Sequence, residues 1–235
     1  MNKNYIAIIP ARGGSKGLKR KNILSFNGKP LISWSIDFIK KSGVFDRCLT
    51  STDSEEIALI AKEYGSEVPF LRSKELASDN ASSSDVILDV ISRCNLKKND
   101  IFFLFEPTSP YRRISYLNSI IELYENNKTK CAVSVYEASS KSYAFQYKIN
   151  SLGKLVAMDF NKLKRNIYRR QDVSPTYLLD GSFYSSTVEN FLNTKSFVAE
   201  NSDAIKTDFF TSLGIDSLEE FQLLELLFQR FGAPF

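Results

Sequence analysis

Ile6-Ala-Ile-Ile-Pro-Ala-Arg-Gly-Gly-Ser-Lys-Gly-Leu-Lys-Arg-Lys-Asn22 is the stretch from which the rest of the chain is read. The apolar run from Tyr5 to Ile9 has the length and β-branching of a buried strand. It breaks at Pro10 and enters a loop holding Gly13, Gly14 and Gly17 among Arg12, Lys16, Lys19, Arg20 and Lys21. Glycines let backbone N–H groups turn toward a ligand, and clustered cations at such a turn suit a polyphosphate. No Ser or Thr follows a Gly-Lys pair, so this is not a P-loop, and the glycine spacing is not G-x-G-x-x-G. The turn therefore points to a nucleotide, against the plainer alternative of a strand-to-helix turn whose charges face water.

Working outward, the composition narrows the chemistry. The chain has 235 residues, 43% hydrophobic and 25% charged, with a net charge of +4. These values suit a single large soluble domain with a substantial core. The cations cluster in the first loop and around Lys162–Arg170, which fits small anionic ligands better than a nucleic-acid duplex. No apolar stretch approaches the roughly 18 residues of a membrane helix, and Arg12 interrupts the first apolar run too early for a signal peptide. Cys48, Cys94 and Cys131 are odd in number and widely spaced, and they read as reduced thiols of a cytoplasmic protein. There is no histidine, which removes a Ser-His-Asp triad, a Cys-His pair and His-ligated zinc together. Lys, Arg, carboxylates, backbone amides and a hard cation such as Mg²⁺ remain, the repertoire of phosphoryl and nucleotidyl transfer.

Strand and helix signals alternate through the first 135 residues. A helix starting at Pro30 carries Ile32, Ile36 and Ile39 on one face and ends at Ser42-Gly43. The pattern then predicts a strand over Arg47–Ser51, a helix over Glu55–Tyr64 and a short strand over Glu67–Leu71. A helix capped by Ser84 or Asp85 runs to Cys94, followed by a strand at Ile101–Phe105, a helix at Ile114–Asn126 and a strand at Cys131–Tyr136. This rhythm predicts an α/β fold with a doubly wound, mostly parallel sheet and ligands at the strands' C-terminal ends. Residues 139–184 break it. Tyr143–Ile149 and Lys154–Met158 read as a hairpin, then come a basic loop and a strand at Ser182–Ser186. The segment is expected to be a small antiparallel excursion from one 1–235 domain. Ser217 caps a last helix to Phe231, whose Leu218, Phe221, Leu224 and Phe228 form a core stripe.

With these segments placed, the chain resembles the CMP-sialic acid synthetases, the acylneuraminate cytidylyltransferases with their pseudaminate and legionaminate relatives. The resemblance rests on Ile9-Pro-Ala-Arg-Gly-Gly-Ser-Lys-Gly17 with Lys21-Asn22, then Ser51-Thr-Asp53, Arg72 and Glu75-Leu-Ala-Ser-Asp79 with Ala81-Ser82. It continues through Pro107-Thr-Ser-Pro110 with Arg112, Arg170-Gln171 with Gly181, and Ile215-Asp216, in order along nearly the whole length. It implies a Rossmann-like nucleotidyltransferase sheet and transfer of CMP from CTP to an acidic nine-carbon 2-keto-3-deoxy sugar, releasing pyrophosphate and supplying surface glycan synthesis. Arg12, Gly13, Ser15, Lys16 and Lys21 would hold the triphosphate, fixed cations neutralising the charge that builds on the departing pyrophosphate. Asn22, Arg72 and Ser82 would recognise the cytidine, although Asn22 and Ser82 also read as helix caps. Arg170 would grip the sugar's carboxylate, with Glu106, Gln171, Tyr177, Asp180 and Gly181 beside the sugar. Asp216 would hold Mg²⁺, or simply cap the last helix with Ser217. Relatives place part of the 139–184 region in a partner's site, so a homodimer built through that segment is expected.

The chain departs from the family at three places. Glu106 stands where many relatives carry Gln, Asp180 where Asn is usual, and Gly214-Ile215-Asp216 replaces an Asp-Ile-Asp signature. A carboxylate in place of an amide loses two donors and adds a charge, so an acceptor other than plain N-acetylneuraminate is expected. A 3-deoxy-octulosonate-type cytidylyltransferase, a sugar-1-phosphate nucleotidyltransferase and a catalytically impaired CTP-binding homologue remain as alternatives.

Overall fold

The strand read from the opening motif lies one strand in from an edge of the main sheet. In the computed structural model, which describes residues 3–14, 17–138, 142–158, 169, 173–199, 202–233 and 235, β1 spans Tyr5–Pro10 and is followed by a two-residue ribbon, β2 (Ser25–Phe26) and β3 (Lys29–Pro30). Then come α1 (Leu31–Ser42), β4 (Arg47–Ser51), α2 (Glu55–Glu63), α3 (Ser83–Arg93), β5 (Ile101–Leu104), α4 (Ile114–Glu125) and β6 (Cys131–Glu137). The remaining elements are β7 (Tyr147–Ile149), β8 (Leu155–Ala157), β9 (Tyr177–Thr187), α5 (Val188–Thr194), β10 (Asp203–Thr207) and α6 (Leu218–Phe231).

The main sheet has the order β10-β6-β9-β5-β1-β4. β1 runs parallel to β4 and β5, β10 runs parallel to β6, and β9 is antiparallel to both β5 and β6. Alternate residues of β1 serve opposite faces, as the two-residue strand period requires. Tyr5, Ala7 and Ile9 pack with α1, α2 and α4, while Ile6 and Ile8 pack with α3 and α5. A third cluster joins Phe26, Leu31, Tyr111 and Ile215 to Phe221, Leu224 and Phe228 of α6. That cluster anchors the segment before α6 beside the C-terminal end of β1.

Several elements differ from the sequence expectation, each for a physical reason. Glu67–Leu71 forms no strand, only isolated bridges of Glu67 to Leu49 and of Leu71 to Thr52. Pro69 within the run cannot donate to a ladder. β9 starts at Tyr177, five residues before the expected Ser182, and belongs to the main sheet. The hairpin β7–β8 is shorter than expected, with a 3-10 turn at Tyr143–Phe145. The ribbon β2–β3 turns through Asn27 and Gly28, both at positive φ (48° and 82°), the conformation an Asn-Gly turn provides.

Candidate active site

Three loops converge beyond the C-terminal ends of β1, β4 and β5. The loop after β1 is tied down along its course. Ala11 N donates to Ser51 O at 2.9 Å, Gly13 N to Asp53 Oδ1 at 2.8 Å, and Asn22 Nδ2 to Arg12 O at 3.0 Å. Gly17 is required by contact, since a Cβ there would lie 2.5 Å from the backbone oxygen of Asp216. The loop after β1 and the 214–216 segment thus pack backbone to backbone. Lys21 seals the joint: its Nζ donates to Ile215 O at 2.7 Å and to Asp216 Oδ1 at 2.8 Å. The Lys21 side chain is 14% exposed and that of Asp216 87%, so the lysine is fixed while the carboxylate faces solvent. Ser15 and Lys16 lie outside the described residues.

A cavity of about 550 Å³ opens over this joint, lined by Arg12, Lys21, Asn22, Arg72, Ser82 and Asp216 with Glu106 and Thr108, a volume suited to a nucleotide-sized ligand. Arg12 reaches Asp79 at 2.8 Å. Arg72 is buried, with Nε on Ser51 Oγ at 3.2 Å and Nη2 on Ser51 O at 2.5 Å, and burial lowers its pKa. Its Nη1 makes no hydrogen bond among the described residues. Ser82 is the N-cap of α3 in a reciprocal capping box with Asp85, and Asn22 braces the loop at Arg12 rather than capping a helix. Both still line the cavity.

A second cavity, about 310 Å³, shares Glu106, Thr108 and Asp216 with the first and extends to Asp180, Gly181 and Tyr184 of β9. Its shape comes from a bulge. Val133 pairs with Tyr184 and Val135 with Leu179, so Asp180–Phe183 face the single residue Ser134. Asp180 braces the bulge: Oδ1 accepts from Ser134 Oγ and from Ser182 N at 2.9 Å, and Oδ2 accepts from Thr207 Oγ1. At the turned position Gly181 has φ +76°, and a Cβ there would meet Ser109 Oγ at 3.0 Å and Glu106 Oε2 at 3.4 Å. Beneath it Arg112, 0% exposed, donates to Ser182 O at 2.9 Å, Ser35 Oγ at 3.0 Å and Glu106 O at 2.6 Å. Desolvation lowers the Arg112 pKa to about 9. This guanidinium fixes the Glu106 backbone against β9 and α1.

Glu106 stands on the wall between the chambers. Its carboxylate receives no hydrogen bond from a described residue. Burial raises its pKa, Asp216 raises it further, and Arg112 and Lys21 act in the opposite sense. Among the described residues no group of three or more His, Cys, Asp or Glu could hold a metal ion. Asp216 supplies the hard oxygens a Mg²⁺ ion takes, and it fits the ion only with phosphate oxygens and water completing the shell.

Of the other residues expected at the site, Tyr177 stands apart at the start of β9, its ring 4.7 Å from Lys206 Nζ, and Arg170 and Gln171 lie outside the described residues. Arg112, Ser134, Thr207 and Tyr184 carry structural or lining roles that sequence reasoning did not assign. Only Arg112 had a signal, its place two residues after Pro107-Thr-Ser-Pro110. A larger cavity of about 830 Å³ opens at the opposite end of the sheet, beside Lys3, Ile101 and Thr187. It lies away from these loops, so size does not locate the chemistry.

Fold and site together define a nucleotidyltransferase-type architecture, and comparison with known proteins gives the family. The cytidylyltransferase family profile matches residues 6–227, and the chain belongs to that family. It is 34% identical over 231 residues to an N-acylneuraminate cytidylyltransferase of Escherichia coli, covering 98% of this chain and 53% of that protein. It is 34% identical to a CMP-N,N'-diacetyllegionaminic acid synthase of Legionella pneumophila, over 95% of this chain and 96% of the relative. A pseudaminic acid cytidylyltransferase of Campylobacter jejuni shares 31%, over 95% and 96%. The chain thus spans about half the length of some curated relatives and nearly all of others. Among solved structures, a CMP:2-keto-3-deoxy-manno-octonic acid synthetase complexed with CTP superposes with TM-score 0.71 at 13% identity, over 97% of this chain and 99% of that one. That likeness concerns the fold.

Proposed function

We propose that this chain transfers the CMP group of CTP to an acidic nine-carbon 2-keto-3-deoxy sugar, releasing pyrophosphate, and that its acceptor is not plain N-acetylneuraminate. One observation carries the reading. The cationic turn after β1 and the Arg72–Ser82 wall enclose one chamber, which shares Glu106, Thr108 and Asp216 with a second. The first suits CTP, with its triphosphate toward Arg12 and Lys21. The second suits the acceptor.

In this mechanism the anomeric hydroxyl oxygen forms a bond to the α-phosphorus while the bond to the bridging oxygen of pyrophosphate breaks in line, and the hydroxyl proton passes to water. Lys21 and Arg12, with Lys16 from the same loop, offset the charge on the transferring phosphoryl and the leaving group. Lys21 is already oriented by Ile215 O, so little reorganisation accompanies the reaction. Asp216 would hold Mg²⁺, which supplies Lewis-acid stabilisation of the phosphate oxygens. Arg170 would take the sugar carboxylate bidentately.

The same reading makes the protein a homodimer using residues 139–184. The support is the hairpin β7–β8, which leaves Ile149 72% and Leu155 69% exposed. A cytoplasmic location is supported by three free cysteines, and no helix among the described residues is long and apolar enough to cross a membrane. The deciding assay is pyrophosphate release with Mg²⁺, a panel of eight- and nine-carbon 2-keto-3-deoxy acids, and CTP against UTP, GTP and dTTP. Release with CTP and a nine-carbon acid other than N-acetylneuraminate is expected. Release only with another nucleotide, or a clear preference for N-acetylneuraminate, contradicts the reading.

A further inference from the structure

The acceptor chamber has an unusual charge balance. Four carboxylates line it, those of Glu106, Asp180, Asp216 and Glu220, and no Lys or Arg is among its described lining residues. Three of the four are committed to the protein. Asp180 accepts from Ser134, Ser182 and Thr207. Asp216 accepts from Lys21. Glu220 Oε2 accepts from the backbone N–H groups of Asp216 and Ser217 at 2.8 and 2.9 Å. Glu106 alone has a carboxylate without a hydrogen bond from a described residue. It is held in place through its backbone oxygen by Arg112, and Gly181 leaves room above its Oε2.

An ionised carboxylate accepts hydrogen bonds and donates none. A partly buried one without a partner is unfavourable until something donates to it. We infer that Glu106 is the specificity-determining residue of the acceptor chamber, and that it selects sugar acids whose tail carries a hydrogen-bond-donating, cationic nitrogen where an acylated sugar presents an amide. An ammonium would supply both the donors and the positive charge that the described lining lacks. An acetamido group would set a carbonyl oxygen among carboxylates and leave Glu106 partly unmatched. The sugar's own carboxylate is correspondingly excluded from this chamber and faces the basic side of the site.

This inference rests on the cytidylyl-transfer reading, so its test separates the two. Pairs of nine-carbon 2-keto-3-deoxy acids, identical except for an amino or an acetamido group at one tail carbon at a time, are titrated calorimetrically into CTP-loaded wild-type protein and into Glu106→Gln. Turnover with the same acids is followed in parallel. CTP-induced thermal stabilisation is recorded first for both proteins. Its absence in the wild type would count against the nucleotide reading itself, and its retention in Glu106→Gln shows that the variant is folded with the nucleotide chamber intact. At one tail carbon the wild type is expected to favour the amino acid over its acetamido partner by about tenfold or more. Glu106→Gln is expected to erase that preference through the acceptor's KM rather than kcat. A wild-type preference for the acetamido partner at every position, or a preference for the amino form that survives in Glu106→Gln, overturns the assignment.

Discussion

At the scale of single residues, the least expected feature is a carboxylate between two cavities that has no hydrogen-bond partner among the described residues. Burial sets the Glu106 pKa above its ordinary 4.5, so the folded protein binds a proton over a pH range where the unfolded chain does not. The cost of holding Glu106 charged is then present above the folded-state pKa and gone below 4.5. Without sugar, Glu106→Gln should therefore be more thermostable than the wild type at pH 7, and the difference should shrink as pH falls toward the ordinary carboxylate range. Melting curves across that range check this, and a constant difference would show that Glu106 is not charged and strained. Ser82 poses another residue-scale question, since it lines the first cavity while serving as the α3 cap. Ser82→Ala should lower stability by about 1 kcal/mol from the lost cap. A simultaneous drop in CTP affinity would add a base contact, and unchanged affinity would leave the cap as its role. Sequence alone held both readings of Ser82 because one hydroxyl satisfies either.

At the scale of elements, burial decided what was legible. β1 and β5 are readable as short continuous apolar runs, and the helices α1 to α4 because each has an apolar face of the right period. β10 was not, since Asp203-Ala-Ile-Lys-Thr207 is a half-exposed edge strand with little apolar signal. The start of β9 is obscured by Asp180-Gly181, which reads as a turn and is instead the bulge that shapes the second cavity. Asp180 was expected beside the sugar. It lines the second cavity, but its oxygens serve Ser134, Ser182 and Thr207, so it acts on that cavity through the shape of the strand. Asp180→Val should raise the acceptor KM about tenfold to hundredfold by displacing Gly181, with CTP affinity unchanged. Asp180→Asn should stay near the wild type, because its amide oxygen still accepts from Ser134 and Ser182 while its NH₂ group donates to the Thr207 hydroxyl. Equal loss in both variants would instead indicate that the charge itself contacts substrate. No sequence pattern pairs Asp180 with Ser134 or Thr207, because that contact exists only once β6, β9 and β10 lie side by side.

At the scale of the whole molecule, the sheet gathers the functional loops at one end, and the segment between β6 and β9 carries the exposed apolar hairpin. Light scattering should give a mass near twice the 26.7 kDa of one chain. Ile149→Lys combined with Leu155→Lys should shift it to the monomer, and an unchanged mass would move the interface elsewhere. The central claim is the seat of the nucleotide. Lys21 is mostly buried at the floor of the first chamber, held there by Ile215 and Asp216, and it joins the loop after β1 to the segment before α6. The most direct measurement is the CTP affinity of Lys21→Gln against the wild type by calorimetric titration. A loss of about tenfold or more is predicted, and an affinity equal to that of the wild type would contradict the account.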